Sequence, residues 1–268
     1  MILYICGMMV MSMNESADKL VTYICDYATS LLECGATTAR IERNVCRMSE
    51  AYGYMADVSI YPRHVEVVMT DGKNGTTFIH SKVISDSIIN YSTVSALSKL
   101  SWNCLDRRLP LSVAMRQYRR IVSASRISPM MVTVLTSLAN ASFCRLFEGD
   151  FLSMAIVFFA TFCGFYIKGA LCRKWNVDIR LSIIVAGCMS AVLSCSGYVF
   201  GWGGTPDVAL ATSVLYLVPG IPYLNAVSDL INGHYICAMS RFIHAAVITA
   251  CLSVGLYIGL LLMDVGLV

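Results

Sequence analysis

This sequence is short of charge. Asp, Glu, Lys and Arg make up 14% of its 268 residues and hydrophobic residues 57%, against ~25% and ~45–50% in soluble domains. Too few polar groups are present to solvate every surface, and the shortage is uneven. Residues 1–126 hold 25 of the 37 charged side chains at net +3, and residues 127–268 hold 12 at net zero. That asymmetry divides the chain into a water-soluble part and a membrane part. Catalytic signatures are missing as well: there is no Gly-rich phosphate loop, no paired Cys/His ligand spacing and no GxSxG elbow. Nothing therefore asks for a cofactor or a metal, and the chain does not read as an enzyme. The 12 cysteines form no CxxC pair. They are read as small apolar packing residues in a reducing compartment rather than as disulfides. The opening "MILYICGMMVMSM" lacks the basic flank and small-residue cleavage site of a signal peptide. Residues 1–13 are read as an apolar leader, disordered or surface-lying, or as a mis-assigned start with Met11 or Met13 as the true one.

What is present in the second part is a set of uncharged runs: 127–144, 151–167, 181–206, 208–228 and 242–263. Each is near the ~20 helical residues that cross ~30 Å of hydrocarbon. They predict five transmembrane helices near 127–147, 151–172, 181–200, 207–229 and 242–263, the second extended past Lys168, which snorkels. Arg119, Arg120, Arg126, Lys168, Arg173, Lys174, Arg180 and Arg241 then fall on one side. The other side carries Arg145 against Glu148, Asp150 and Asp207. By the positive-inside rule the amino terminus is cytoplasmic and the carboxyl terminus lies on the opposite side. "GWGG" (201–204) reads as a tight outer loop, and the Gly, Ala and Ser of the later spans suit close helix packing in lipid.

Residues 14–126 have the pattern of a cytoplasmic α+β domain. Leu20, Tyr23, Ile24, Tyr27, Leu31 and Leu32 recur at helical spacing up to Gly35, and a second helix over about 38–52 presents Ile41, Val45 and Met48. The period then switches to two at Val58 and Ile60, and again at Val65, Val67 and Met69. "DGKNG" (71–75) marks a turn before a third short strand over 76–80. Helices resume over about 85–105, with Ser85 as cap, and from Leu111 after Pro110. His64 and His80 read as surface or hairpin residues. Arg107, Arg108, Arg116, Arg119 and Arg120 precede the membrane, so anionic lipid headgroups suit them better than nucleic acid, with an ordinary solvated helix face as the other reading. Glu33, Arg40, Glu42 and Arg43 flank a helix–Gly–helix corner, either as i, i+3 surface pairs or as a ligand or partner contact.

"LYLVPGIPYLNAVSDLINGHY" (215–235) breaks the rules of a lipid-facing helix. Pro219 and Pro222, flanking Gly220, predict a discontinuous fourth span that faces protein or a wet pathway, because lipid offers the freed carbonyls nothing. Asn225 and Asp229 share a helix face that Asn232 joins, with Ser228 and His234 displaced from it. Asp229 reads as a pathway or proton-relay group partnered by Arg241 or His234, or as the residue that ends the helix at the cytoplasmic interface. "NGH" (232–234) also reads as an interfacial turn. The substrate or pathway set is therefore Pro219, Gly220, Pro222, Asn225, Asp229, Asn232 and His234. The structural or coupling set is Glu33, Gly35, Arg40, Glu42 and Arg241.

Taken together, "LLECGATTARIER" (31–43) and "ATSVLYLVPGIPYLNAVSDLINGHYICAMSR" (211–241) resemble the threonine/serine exporter family, especially its split, YjjP-like form. The matching positions are Glu33, Gly35, Ala36 and Arg40, then Pro219, Gly220, Asn225, Asp229 and Gly233, and the likeness covers roughly residues 16–262. The resemblance implies a cytoplasmic domain followed by five transmembrane helices in a bacterial inner membrane. It implies export of small amino acids (threonine, serine) or of dicarboxylates such as succinate, with a separate small, YjjB-like membrane protein supplying the second half. A homo-oligomer is left open. Two other readings stay beside it: a membrane-tethered metabolite sensor using the Glu33–Arg43 corner, and a membrane hydrolase built on Asp229, His234 and Ser240.

Overall fold

The computed structural model describes residues 2–72, 74–84, 88–124 and 127–264, with side chains from residue 17 onward. The chain forms two compact units. One joins Met1–Ser125 to Pro222–Phe242, and the other joins Arg126–Ile221 to Ile243–Val268. The first unit is thus larger than the amino-terminal part that charge alone marked out: it takes in 21 residues from the second half.

In the first unit α1 (Ile2–Glu33) is the axis of the core, with Val21, Ile24, Tyr27, Ala28 and Leu31 fully buried along one face. That face follows the 3.6-residue period of the sequence. A turn at Gly35 (φ +85°) leads into α2 (Thr38–Ala51), which buries Ile41, Val45 and Met48. Three antiparallel strands follow in the order β1-β2-β3: β1 (Tyr54–Tyr61), β2 (His64–Asp71) and β3 (Thr77–Val83). In the central strand Val65, Val67 and Met69 are fully buried while their neighbours turn outward, so one face of the sheet closes the core against α1 and α2. The 71–75 turn is formed, with the Asp71 and Gly75 amides bonded to Thr76 O and Asp71 O. The third strand runs three residues beyond the expected 76–80, because it pairs with β2 as far as His64–Val83.

Next, α3 (Tyr91–Arg107) begins later than the pattern suggested. Its cap is Asn90, whose side chain accepts from the Thr93 amide, and Ser85 lies outside the described residues. α4 (Leu111–Val122) starts after Pro110 as expected. Eleven cysteines are described and all are free thiols. Cys25 is typical of them: burial pushes its pKa up to about 11, so it packs rather than reacts. Cys46 is the one placed on the exposed surface.

The second unit contains α5 (Pro129–Leu146), α6 (Phe151–Lys174), α7 (Ile179–Phe200), α8 (Pro206–Ser213), a single 3₁₀ turn (Leu215–Leu217) and most of α10 (Tyr235–Leu262). The helix α9 (Gly220–Ile231) runs from this unit into the first. Among the described residues, α6, α7 and α10 are each long and apolar enough to cross a bilayer, and a fourth crossing is added if the bent pair Pro206–Leu217 and Gly220–Ile231 counts as one. α5 is not among them; Thr133, Ser137, Asn140 and Arg145 dilute its apolar content. Packing in this unit rests on missing side chains. A Cβ on Gly255 of α10 would lie 2.3 Å from Ile184 O of α7, and one on Gly164 of α6 would lie 2.0 Å from the Tyr216 hydroxyl. Backbones approach this closely only where no side chain intervenes.

Gly255→Leu is therefore expected to lower the melting temperature of the detergent-purified protein by several degrees, since overpacking against backbone costs ~1–3 kcal/mol. Gly72→Ala, where an added Cβ meets nothing within 4 Å, is expected to melt like the parent. Equal melting of all three proteins would refute the close-packing account.

Candidate functional site

Two groups of buried polar residues stand out, one in each unit. The first is built on the "ECGATT" corner. Helix α1 ends at Glu33, Gly35 turns the chain, and α2 begins at Thr38 with no side-chain cap from Thr37. The amides of a first helical turn lack intrahelical acceptors, and here an acceptor arrives from far along the chain. Asp229 Oδ1 accepts from the Thr38 amide at 2.9 Å, a carboxylate set at the positive end of α2. Its Oδ2 makes no hydrogen bond and lies 3.3 Å from Arg241 Nε, and Arg241 Nη2 donates to Ala36 O at 2.8 Å. Asn225, one turn before Asp229, donates to Gly35 O at 2.9 Å and faces the Tyr91 hydroxyl at 3.4 Å. His234 Nε2 stands 3.4 Å from Glu42 Oε2, and Cys237 reaches Ile60 O at 3.2 Å.

Asn225 and Asp229 both bond the Gly35 corner, and Arg241 lies beside Asp229. Asp229 is fully buried, and both its oxygens are committed to the first unit. Asn232 does not join that face, because its side chain turns back to Ser228 O at 2.6 Å. Gly233 (φ +83°) makes the turn into α10, with His234 beside it. Of the corner charges, Glu42 meets His234 and Arg43 bonds Ala39 O. Arg40 is exposed and joins none of these contacts, and the Glu33 backbone oxygen accepts from the Ile88 amide. Asp229 and His234 have different side-chain partners, Arg241 and Glu42. Among the described residues no three metal-ligating side chains converge.

The second group explains the broken helix. Regular bonding stops at Ser213, the 3₁₀ turn follows, and α9 starts at Gly220, with a bend of 62° between the two stretches. The interruption thus lies ahead of the two prolines. Pro219 precedes α9 and Pro222 sits in its first turn, where a missing N–H removes no helical bond. At the break stand Thr212 O, which also accepts from the Val214 amide, and Ser213 O. The Asn140 amide donates to them at 3.0 and 3.4 Å, and to Thr161 Oγ1 at 2.7 Å. Nearby, the Tyr216 hydroxyl pairs with Ser190 Oγ at 2.9 Å in the space left by Gly164. Ser194, one turn along α7 from Ser190, is fully buried with its hydroxyl unpartnered. These groups make a neutral seam of amide, hydroxyl and carbonyl through α5, α6, α7 and the end of α8.

Asn140, Thr161, Ser190 and Tyr216 were not singled out in the sequence, where Ser and Thr look like small packing residues. One signal was available: Thr133, Ser137 and Asn140 recur at helical spacing inside an uncharged run, and all three are buried.

The Asp229 contacts are testable by hydrogen exchange. Asp229→Ala is expected to speed exchange of the amides at 38–41. Arg241→Met, which leaves a buried carboxylate uncompensated, is expected to cost about 3–5 kcal/mol. The double variant Asp229→Leu/Arg241→Met is expected to recover part of that loss. Unchanged protection at 38–41 in Asp229→Ala would refute the capping role.

Comparison with known proteins adds a family to this geometry. The family described as "Putative threonine/serine exporter" (ThrE) matches residues 22–263. The chain is similar to the "Probable succinate transporter subunit YjjP" of Klebsiella aerogenes, 26% identical over 249 residues, 91% of this chain and 95% of the relative. It is also similar to the protein of the same name from Escherichia coli (strain K12), 27% identical over 252 residues, 92% of this chain and 96% of the relative. No solved structure matches it. The match spans both units and both quoted motifs, and the chain belongs to the threonine/serine exporter family.

Proposed function

We propose that this chain is the larger subunit of a bacterial inner-membrane secondary exporter for small carboxylate-bearing metabolites, and that a separate small membrane protein completes it. The observation that carries the reading is the Asn140 seam at the helix interruption, in a chain whose family is one of exporters. A broken helix inside a membrane bundle is a recurrent way to hold small polar solutes. Five crossings are proposed: α5, α6, α7, the bent pair and α10, with the first unit cytoplasmic as the Lys and Arg distribution favours. Dicarboxylates such as succinate are preferred over threonine and serine, because both curated relatives carry that substrate in their names. The word "subunit" in those names supports the partner.

The seam is proposed to act by exchange of hydrogen bonds. Asn140, Thr161, Ser190 and Tyr216 are paired with backbone and with one another, and an entering carboxylate would take over their donors. The 3₁₀ turn and Pro219–Gly220 allow the bent pair to re-pair its carbonyls as the solute passes. Asn225, Asp229 and Arg241 hold the cytoplasmic end of α9 on the corner at Gly35. This gives Asp229 an anchoring role in place of a proton relay. Asn232 and His234 close the same hairpin.

The test is efflux of labelled succinate from proteoliposomes that hold this chain with its small partner, under an imposed proton gradient. Thr161→Val and Tyr216→Phe keep volume and lose one hydroxyl each. Each is expected to slow efflux about tenfold, the ~1.4 kcal/mol scale of one hydrogen bond. Ser142→Ala, on the exposed side of α5, is expected to leave it unchanged. Absence of succinate, threonine and serine efflux from the parent pair would overturn the reading; full activity in both hydroxyl variants would move the pathway elsewhere.

A further inference from the structure

A cleft in the first unit, away from the Asp229 corner, has the chemistry of a small-ligand site. It lies between α1 and α4, and its volume of about 420 Å³ is within the ~300–1,000 Å³ of small-molecule pockets. Asp18, Thr22, Tyr23 and Asp26 line one wall, and Tyr118 and Arg119 the other. The floor is aromatic and fixed. Tyr23 and Tyr118 meet edge to face with centroids 5.5 Å apart, and the Tyr118 hydroxyl is held by Ser30 at 2.8 Å and by Asp26 O at 3.1 Å.

The charges on the walls are unequal in availability. Asp26 is already neutralised by Lys82, whose Nζ lies 2.5 Å away. Lys19 also borders the cleft and has a partner of its own. Asp18 and Arg119 remain. Among the described residues neither side chain makes an ion pair or a hydrogen bond, and they stand on opposite walls, one anionic and one cationic. A cavity with a rigid apolar floor, one free carboxylate and one free guanidinium is complementary to a molecule carrying both signs close together. A dicarboxylate would meet repulsion from Asp18, and a diamine from Arg119.

We propose that this cleft binds a small zwitterion of the α-amino-acid type, its ammonium toward Asp18 and its carboxylate toward Arg119, as a sensing site on the soluble unit. The proposal does not depend on which solute the membrane unit carries. An amino acid here would report cytoplasmic supply to the exporter, as substrate or as a regulator of a different solute's efflux.

The experiment is isothermal titration of the full chain in lipid nanodiscs with L-threonine, L-serine, succinate and cadaverine. Saturable binding of the two amino acids is expected, with succinate and cadaverine at least tenfold weaker. Asp18→Asn and Arg119→Gln are each expected to weaken amino-acid binding at least tenfold while leaving the melting temperature in place, since both side chains are exposed. Amino-acid binding that survives both variants, succinate binding as tight as threonine that Arg119→Gln weakens at least tenfold, or no saturable amino-acid binding at millimolar concentration would each overturn the proposal. Loss of binding in Thr161→Val with retention in Asp18→Asn would place the ligand in the membrane seam and overturn it likewise. Succinate efflux is scored separately, so a chain that binds threonine in the cleft but exports nothing retains the sensing site and loses the transport reading.

Discussion

Backbone groups released where a helix stops inside an apolar bundle must find partners within the protein, because acyl chains supply none. In this chain the stop comes at Ser213, and the Asn140 amide, with Thr161 beside it, takes up the Thr212 and Ser213 carbonyls. That one obligation orders the rest of the second unit. It requires a carboxamide in the middle of α5. It requires α6 to offer Thr161 there and Gly164 one turn on, and it leaves Tyr216 room to reach Ser190. A seam of neutral donors and acceptors is the by-product of interrupting a helix in hydrocarbon, and it is also what a polar solute needs.

The same physics explains why a carboxylate is tolerated at Asp229. An isolated buried charge is costly by several kcal/mol, and the usual remedies in a membrane are a pathway or a relay. Here the remedy is an uncapped helix end. Thr37 leaves the first amides of α2 open, and Asp229 supplies the missing acceptor while Arg241 balances its charge. The price in desolvation is offset by three elements meeting at one point: the α1–α2 corner, α9 and the start of α10. Gly35 serves this arrangement twice, by adopting φ +85° and by presenting its carbonyl to Asn225. The two sequence stretches that carry the family likeness are therefore in contact, 190 residues apart along the chain.

Hairpin 222–242 links these two sites covalently. Its amino-terminal end continues from the interrupted helix, and its body is bonded to the core of the first unit.

Local periodicity and charge count were enough to read much of the architecture. The buried face of α1, the alternation of Val65, Val67 and Met69, the 71–75 turn and the apolar helices each follow from patterns a few residues long, since burial repeats every 3.6 residues on a helix and every two on a strand. The pairing of Asn225 with Asp229 was legible for the same reason. What the sequence left open was where those polar groups go, because a membrane pathway and a buried helix cap present the same residues at the same spacing. The contacts themselves needed tertiary structure, which brings Thr38 to Asp229 across 191 positions. It also moved the helix interruption upstream of the prolines, since Pro222 costs nothing in a first turn, and it disclosed Asn140, whose partners are backbone carbonyls that no side-chain pattern records.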